Sequence, residues 1–179
     1  MKRDPRNLVQ HLERYIFALP HCREKIVLDL GSKDGYGSHI ISHTAKEITL
    51  SDCSGKCLYQ AKSYYHFLCS AKFDEVDFNK TFPDGKWDTI LAFEVIEHVD
   101  NPYNFVKEIA RHLKVNGKLV FSVPHMKPAK VHKTLFNEKS IKDLISKYLS
   151  IDEFYVQDSY GISNRPTNNN CYVGVATKV

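Results

Sequence analysis

The sequence predicts an α/β chain built on a doubly wound, mostly parallel sheet of about seven strands that ends in an antiparallel hairpin. Three observations predict it. Short β-type runs alternate with helical patterns along the chain, as they do when helices cover both faces of a parallel sheet. A glycine-rich turn follows the first strand. The last two β-rich runs are separated by too few residues for a crossover helix, so they must run antiparallel to each other.

The elements follow in order. Leu8–Leu19 reads as a leading helix ended by Pro20, within a leading segment of residues 1–20. Residues 25–179 form the core of a single domain. Lys25–Leu30 is a first strand whose apolar residues Ile26, Val27, Leu28 and Leu30 do not alternate with polar ones, as expected where both faces are covered. A helix near Tyr36–Thr44, a strand over Glu47–Ser51 ending at Asp52, a helix over Ser54–Leu68 and a strand over Lys72–Asp77 complete the first half. Trp87–Phe93 is the next strand. Asn101-Pro102 supplies an N-cap and a first-turn proline to a helix that aligns Phe105, Val106, Ile109, Ala110 and Leu113. Asn116-Gly117 is expected to stop that helix before a strand over Lys118–Val123. Asn137 caps another helix, with Ile141, Leu144, Ile145, Tyr148 and Leu149 buried. Ile151–Gln157 and Cys171–Thr177 form the final hairpin around a polar loop, Asp158–Asn170.

Composition narrows the function. The 179 residues suffice for one buried core, and 42% hydrophobic with 26% charged residues is ordinary for a globular chain. A net charge of +4, with Lys and Arg scattered, gives no basic run to bind nucleic acid. Five cysteines without a C-x-x-C pair argue against a disulfide scaffold or a zinc knuckle and fit a reducing, cytoplasmic setting. No apolar run approaches membrane-spanning length, and the N-terminus reads as neither signal peptide nor anchor.

Two constellations carry chemistry. The first is Val27-Leu28-Asp29-Leu30-Gly31-Ser32-Lys33-Asp34-Gly35, a strand feeding a glycine turn that opens a helix. Such a turn lets a ligand approach the backbone and favours an anionic group. About twenty residues beyond it, Asp52 ends the second strand, where an acidic side chain accepts the hydroxyls of a ribose. The spacing does not fit the dinucleotide fingerprint G-x-G-x-x-G. The second is Phe93-Glu94-Val95-Ile96-Glu97-His98-Val99, directly after the fourth strand at the edge that faces the ligand crevice. His39 and His43 read as a helix-surface pair, Tyr64-Tyr65-His66-Phe67 as partly core, and Asn168-Asn169-Asn170 as hairpin loop.

Val27 to Gly35 resembles the first motif of class I S-adenosylmethionine-dependent methyltransferases, V-L-D-x-G-x-G-x-G, with Lys33 in place of the middle glycine. The resemblance runs from about Ile26 to Leu149 and implies a Rossmann-like fold. It implies cofactor contacts at Asp29, Gly31, Ser32, Lys33 and Gly35, at Asp52 and Cys53, at Asp77 and Phe78, and at Phe93. E-V-I-E-H-V, with Asn101-Pro102, Leu119–Pro124 and His132-Lys133-Thr134-Leu135-Phe136-Asn137, is similar to one branch of the family. That branch holds ubiquinone-pathway O-methyltransferases and bacterial enzymes acting on sugars, lipids and other metabolites.

Three roles stay open for the second constellation. His98 is a candidate general base with Glu97 beside it, because histidine titrates near neutrality. Glu94, Glu97, His98 and His132 are alternatively a divalent-metal set, similar to that of small-RNA 2′-O-methyltransferases. Glu97 and His98 otherwise only cap and orient the crevice loop. The expected activity is O-methylation of a small molecule or glycan by S-adenosylmethionine. The alternatives are a metal-dependent RNA 2′-O-methyltransferase and a catalytically silent binding or partner protein, the last suggested by Lys33. A chain this short has little room for a lid over the acceptor, so the crevice is expected to be open or completed by a second subunit in a homodimer.

Overall fold

The computed structural model describes residues 5–64, 71–164 and 171–179. One sheet of eight strands runs in the order β3-β2-β1-β4-β5-β8-β6-β7. β1 (Ile26–Leu30), β2 (Glu47–Asp52), β3 (Ala71–Glu75), β4 (Trp87–Phe93) and β5 (Leu113–Pro124) are mutually parallel where they pair. β8 (Cys171–Thr177) enters antiparallel between β5 and β6 (Ser150–Asp158), and β7 (Gly161–Ser163) pairs antiparallel with the far side of β6.

Alternation along the central strands splits the core into two layers. Leu28, Ile90, Leu119 and Phe121 face α4 (Pro102–His112) and α5 (Glu138–Ser146), while Val27, Leu91 and Val120 face α1 (Pro5–Cys22), α2 (Tyr36–Ser42) and α3 (Gly55–Tyr64). Both faces are therefore covered, which explains the continuous apolar runs of β1 and β4. The direction in which strands are added reverses between β1 and β4: the first half winds outward to β3, the second to β5 on the other side. Such a reversal opens a crevice at the carboxyl ends of the strands.

The caps fall where the sequence places them. The Asn101 side chain accepts from the Asn104 N–H at 3.0 Å, with Pro102 opening α4. Asn137 and Ser140 form a reciprocal capping box at α5. Several boundaries differ. Pro20 does not end α1, which continues to Cys22. Both Ile16 and Pro20 are exposed, so the carbonyl that Pro20 leaves without a donor lies on the watered side. Asn116-Gly117 does not stop α4. The helix ends at His112, Leu113 turns extended to pair with Trp87, and Asn116 bends β5 at φ 60°, its N–H donating to the Lys178 carbonyl. The third strand ends at Glu75, two residues before Asp77. Tyr148 and Leu149 lie beyond the end of α5, although Leu149 is buried.

The eighth strand, β7, falls inside the polar loop of the expected hairpin. Its three residues have no alternation to reveal them, and only pairing with Val156–Asp158 makes them a strand. Tyr64 is exposed rather than partly core. Residues 65–68 of the expected third helix and Asn168–Asn170 lie outside the described residues. Among the described residues, no helix is long and apolar enough to cross a membrane.

Candidate functional site

β1 ends in a turn with three left-handed residues: Gly31 at φ 69°, Lys33 at φ 51° and Gly35 at φ 78°. Gly31 is required, because a Cβ there would stand 2.7 Å from Val95 Cγ2 at the end of β4. Lys33 adopts the conformation that a glycine would supply, so the turn keeps its shape despite the substitution. Its N–H donates to Asp52 Oδ2 at 3.0 Å, and the Ser54 N–H donates to Asp52 Oδ1 at 2.9 Å. The acidic end of β2 is thus held by two backbone donors, one from each flanking loop.

These turns wall a crevice of about 570 Å³ at the carboxyl edge of β1, β2 and β4. Gly31, Lys33, Asp52, Cys53, Asp77, Phe78, Glu94 and His98 all line it, as their positions in the sequence suggest. The Asp77 carboxyl accepts from the Asn79 N–H and pairs with Lys80, which hold it below the ordinary carboxylate range. Cys57 and Gln60 on one face of α3, and Val95 and Val99 beyond β4, also line the crevice. The i, i+3 spacing of Cys57 and Gln60 directly after Asp52 was the available signal for the first pair.

Four of the residues that the family motif marks are not on this lining. Asp29 is wholly buried beneath the turn, accepting from the Ser38 hydroxyl at 2.5 Å and the Tyr15 hydroxyl at 3.1 Å. Burial outweighs those two donors and, with the charge of Asp52, pushes its carboxyl up to about 7. Ser32 is buried with no partner for its hydroxyl among the described residues. Gly35 caps α2, and Phe93 packs edge-on against Tyr15 with ring centroids 5.0 Å apart.

At the other end of the crevice, Glu94 stands just past β4 with a left-handed φ of 56°. Arg14 of α1 meets it at 3.1 Å, and the Cys171 thiol donates to it. Burial pushes the Glu94 carboxyl up, but Arg14 and His11 outweigh it and leave it below its ordinary value. Arg14 is itself buried, donating to Gln157 Oε1 at 2.7 Å and Ser122 Oγ at 3.1 Å. Sequence reasoning missed Arg14, although it shares the i, i+4, i+8 stripe of Ala18 and Cys22.

Glu97, His98 and His132 come together, each offering a ligand atom within 4.8 Å of the others. Neither carboxyl oxygen of the fully buried Glu97 has a hydrogen-bond partner among the described residues; His98 Nε2 is 3.6 Å away. Burial and the neighbouring Glu94 push that carboxyl up to about 8. His98 Nδ1 lies 2.9 Å from the Val131 carbonyl and His132 Nδ1 lies 2.8 Å from the Lys127 carbonyl. A carbonyl only accepts, so each Nδ1 carries a proton, and in the neutral ring it is Nε2 that keeps the lone pair. The two rings meet edge to face, 5.0 Å between centroids. Glu94 is not part of this cluster, because Arg14 holds it. His39 and His43 contact each other edge to face on α2 and its C-cap, far from these elements in the chain.

A family model for methyltransferase domains matches residues 2–150. The probable S-adenosylmethionine-dependent methyltransferase of Mycobacterium tuberculosis is 30% identical over 118 residues, covering 65% of this chain and 42% of that protein. The chain thus matches about two fifths of the length of the first curated relatives. A ubiquinone biosynthesis O-methyltransferase of Xanthomonas campestris pv. campestris is 24% identical across 90% of this chain and 74% of its own. The crystal structure of the N-methyltransferase NodS from Bradyrhizobium japonicum WM9 superposes with a TM-score of 0.79 over 99% of both chains, at 13% identity. At that identity the likeness speaks for the fold. With the family model spanning most of its length, the chain belongs to the family of methyltransferase domains.

Proposed function

We propose that this chain is an S-adenosylmethionine-dependent methyltransferase acting on an oxygen of a small molecule or glycan. The observation that carries the reading is Asp52, fixed by the Lys33 and Ser54 N–H groups at the lip of a crevice of about 570 Å³. Its carboxylate retains lone pairs for a ribose diol, and the ionised Asp77 beside Phe78 suits the adenine end. The close approach at Gly31, where a Cβ would meet Val95, leaves bare backbone toward the crevice. Family membership and relatives named as S-adenosylmethionine-dependent enzymes support the same cofactor. Bound S-adenosylmethionine supplies a methyl group on a sulfonium, open to in-line displacement. The protein contributes alignment, and His98 takes the acceptor's hydroxyl proton on Nε2 while its Nδ1–H is anchored on Val131.

The test is calorimetry with S-adenosylhomocysteine. Saturable one-to-one binding supports the reading. A folded protein that binds neither S-adenosylmethionine nor S-adenosylhomocysteine at millimolar concentration would establish the silent alternative instead.

One observation favours a second reading, metal-dependent methylation of an RNA 2′-hydroxyl. Two imidazole lone pairs and an unpartnered buried carboxyl converge, which is the donor set of a divalent cation with its outer hydrogen bonds already in place. Glu97, His98 and His132 would hold the ion, which would lower the pKa of a bound hydroxyl. Mn²⁺ binding followed by electron paramagnetic resonance decides it. Binding abolished by His132→Ala supports the metal, and no binding leaves His98 as a metal-free base.

A further inference from the structure

The loop joining β5 to α5 is chemically one-sided. Between Pro124 and Asn137 it holds Lys127, Lys130, Lys133, His125 and His132 and no carboxylate. Its backbone is knitted to the cluster at the crevice end. The Val131 and Lys127 carbonyls face His98 and His132, and the Lys133 and Thr134 N–H groups donate to the Glu97 carbonyl at 2.8 and 3.2 Å. The backbone at Lys127, and at Val131 next to Lys130, is therefore held against the histidines at the acceptor end, which puts both lysines on the loop that borders it.

Local anions do not balance them. Lys133 is taken by Asp100 at 2.6 Å and Glu94 by Arg14 at 3.1 Å, while Glu97 is fully buried. Lys127 and Lys130 are exposed and enter no ion pair among the described residues. Lys33 lines the crevice as well, and its charge acts weakly on both Glu94 and Glu97. Asp34 on the turn after β1, Asp52 at the end of β2 and Asp77 just past β3 line the crevice. At the acceptor end Glu94 is neutralised by Arg14 and Glu97 is buried, so Lys127 and Lys130 are left there without a counter-charge among the described residues, while Asp34, Asp52 and Asp77 lie toward the nucleoside end. A crevice biased in this way concentrates and orients anions at one end.

We infer that the acceptor is a small anionic molecule, its phosphate or carboxylate held by Lys127 and Lys130 while its hydroxyl is presented to His98. This rests on the methyl-transfer reading of the crevice. Met126, Val131 and Leu135, exposed on the same loop, give an apolar body something to lie against.

Phenyl phosphate, benzoate and benzyl alcohol, added to the protein saturated with S-adenosylhomocysteine and followed by backbone amide NMR, test the inference. Phenyl phosphate or benzoate should shift residues 125–135 saturably, and whichever binds identifies the anion. Benzyl alcohol should not bind. Lys127→Gln with Lys130→Gln should weaken the anion about tenfold or more, two charge-assisted contacts being lost, and leave S-adenosylhomocysteine affinity unchanged. Equal binding of the alcohol, or unchanged anion affinity in the double variant, overturns the inference. So does a single-stranded RNA that binds over about a hundredfold tighter than phenyl phosphate with a steep salt dependence. Failure of S-adenosylhomocysteine itself to bind removes the methyl-transfer reading and this inference with it, whereas S-adenosylhomocysteine binding without anion binding removes this inference alone.

Discussion

The Lys33 N–H donates to Asp52 Oδ2 over 3.0 Å, joining the residue that breaks the glycine pattern to the acidic residue at the end of β2. The bond uses Lys33's backbone, so a glycine there would make it equally well. Asp52 therefore has two tasks, closing the turn and offering its remaining lone pairs to a ligand. Asp52→Ala should lose about 1–3 kcal/mol of S-adenosylhomocysteine binding, measured by calorimetry, and lower the melting temperature as well. A folded variant with wild-type affinity would remove Asp52 from the site.

The Lys33 side chain is separable from its backbone. A left-handed non-glycine residue carries about 1–3 kcal/mol of strain, which glycine relieves at a cost in chain entropy. Lys33→Gly should leave stability unchanged or slightly raised. It should weaken S-adenosylmethionine binding at low salt and much less at high salt, because an exposed ammonium acts through a screened field. Tighter binding at both salt concentrations would mean that the lysine is merely tolerated.

Arg14 and Glu94 form a pair whose halves are not equally replaceable. Arg14→Met leaves the Glu94 carboxylate, already strained at φ 56°, without its counter-charge in a mostly buried place. The expected loss is about 3–5 kcal/mol by urea unfolding. Adding Glu94→Gln should recover a large part of it. Additive losses in the double variant would show that the pair contributes no coupling.

Asp29 sets a pH dependence of defined sign. Its carboxyl titrates near about 7 when folded, against an ordinary 3.8. Between those values the folded chain holds a proton that the unfolded chain has released. Its contribution to stability is therefore fully present below the lower value and is lost as pH rises through the upper. Asp29→Asn should flatten the decline in denaturant midpoint across that window. An unchanged profile would place the titrating group elsewhere.

What the sequence made legible follows from how locally each feature is encoded. Val27–Gly35 and Trp87–Phe93 carry their own patterns, and Asn101 and Asn137 cap helices with their own side chains, so strands, caps and the β1 turn were all readable. Asp52 was readable because a fixed spacing places it. Contacts between distant segments were not. Arg14 reaches Glu94 and Gln157 across 80 and 143 residues, and nothing near Arg14 announces either partner. The same holds for β7, which exists only through β6, and for Asn116-Gly117, whose turn-like composition gives way to pairing of Leu113 with Trp87. Glu94 looked like a fourth metal ligand by spacing; Arg14, eighty residues upstream, claims it.

The insertion of β8 between β5 and β6 dictates an order of assembly. As the chain leaves a ribosome, β5, α5 and β6 emerge before residues 171–177, and β6 must not close directly onto β5, because its proper neighbour there is still missing. Until that strand arrives, Lys118–Pro124 presents a bare, apolar edge of the kind that pairs with other chains. Refolding should therefore pass through a half-sheet of β1–β5 whose completion waits on a long-range event, the slow and aggregation-exposed kind of step. Yield at high protein concentration, rather than final stability, is where this topology exacts its toll.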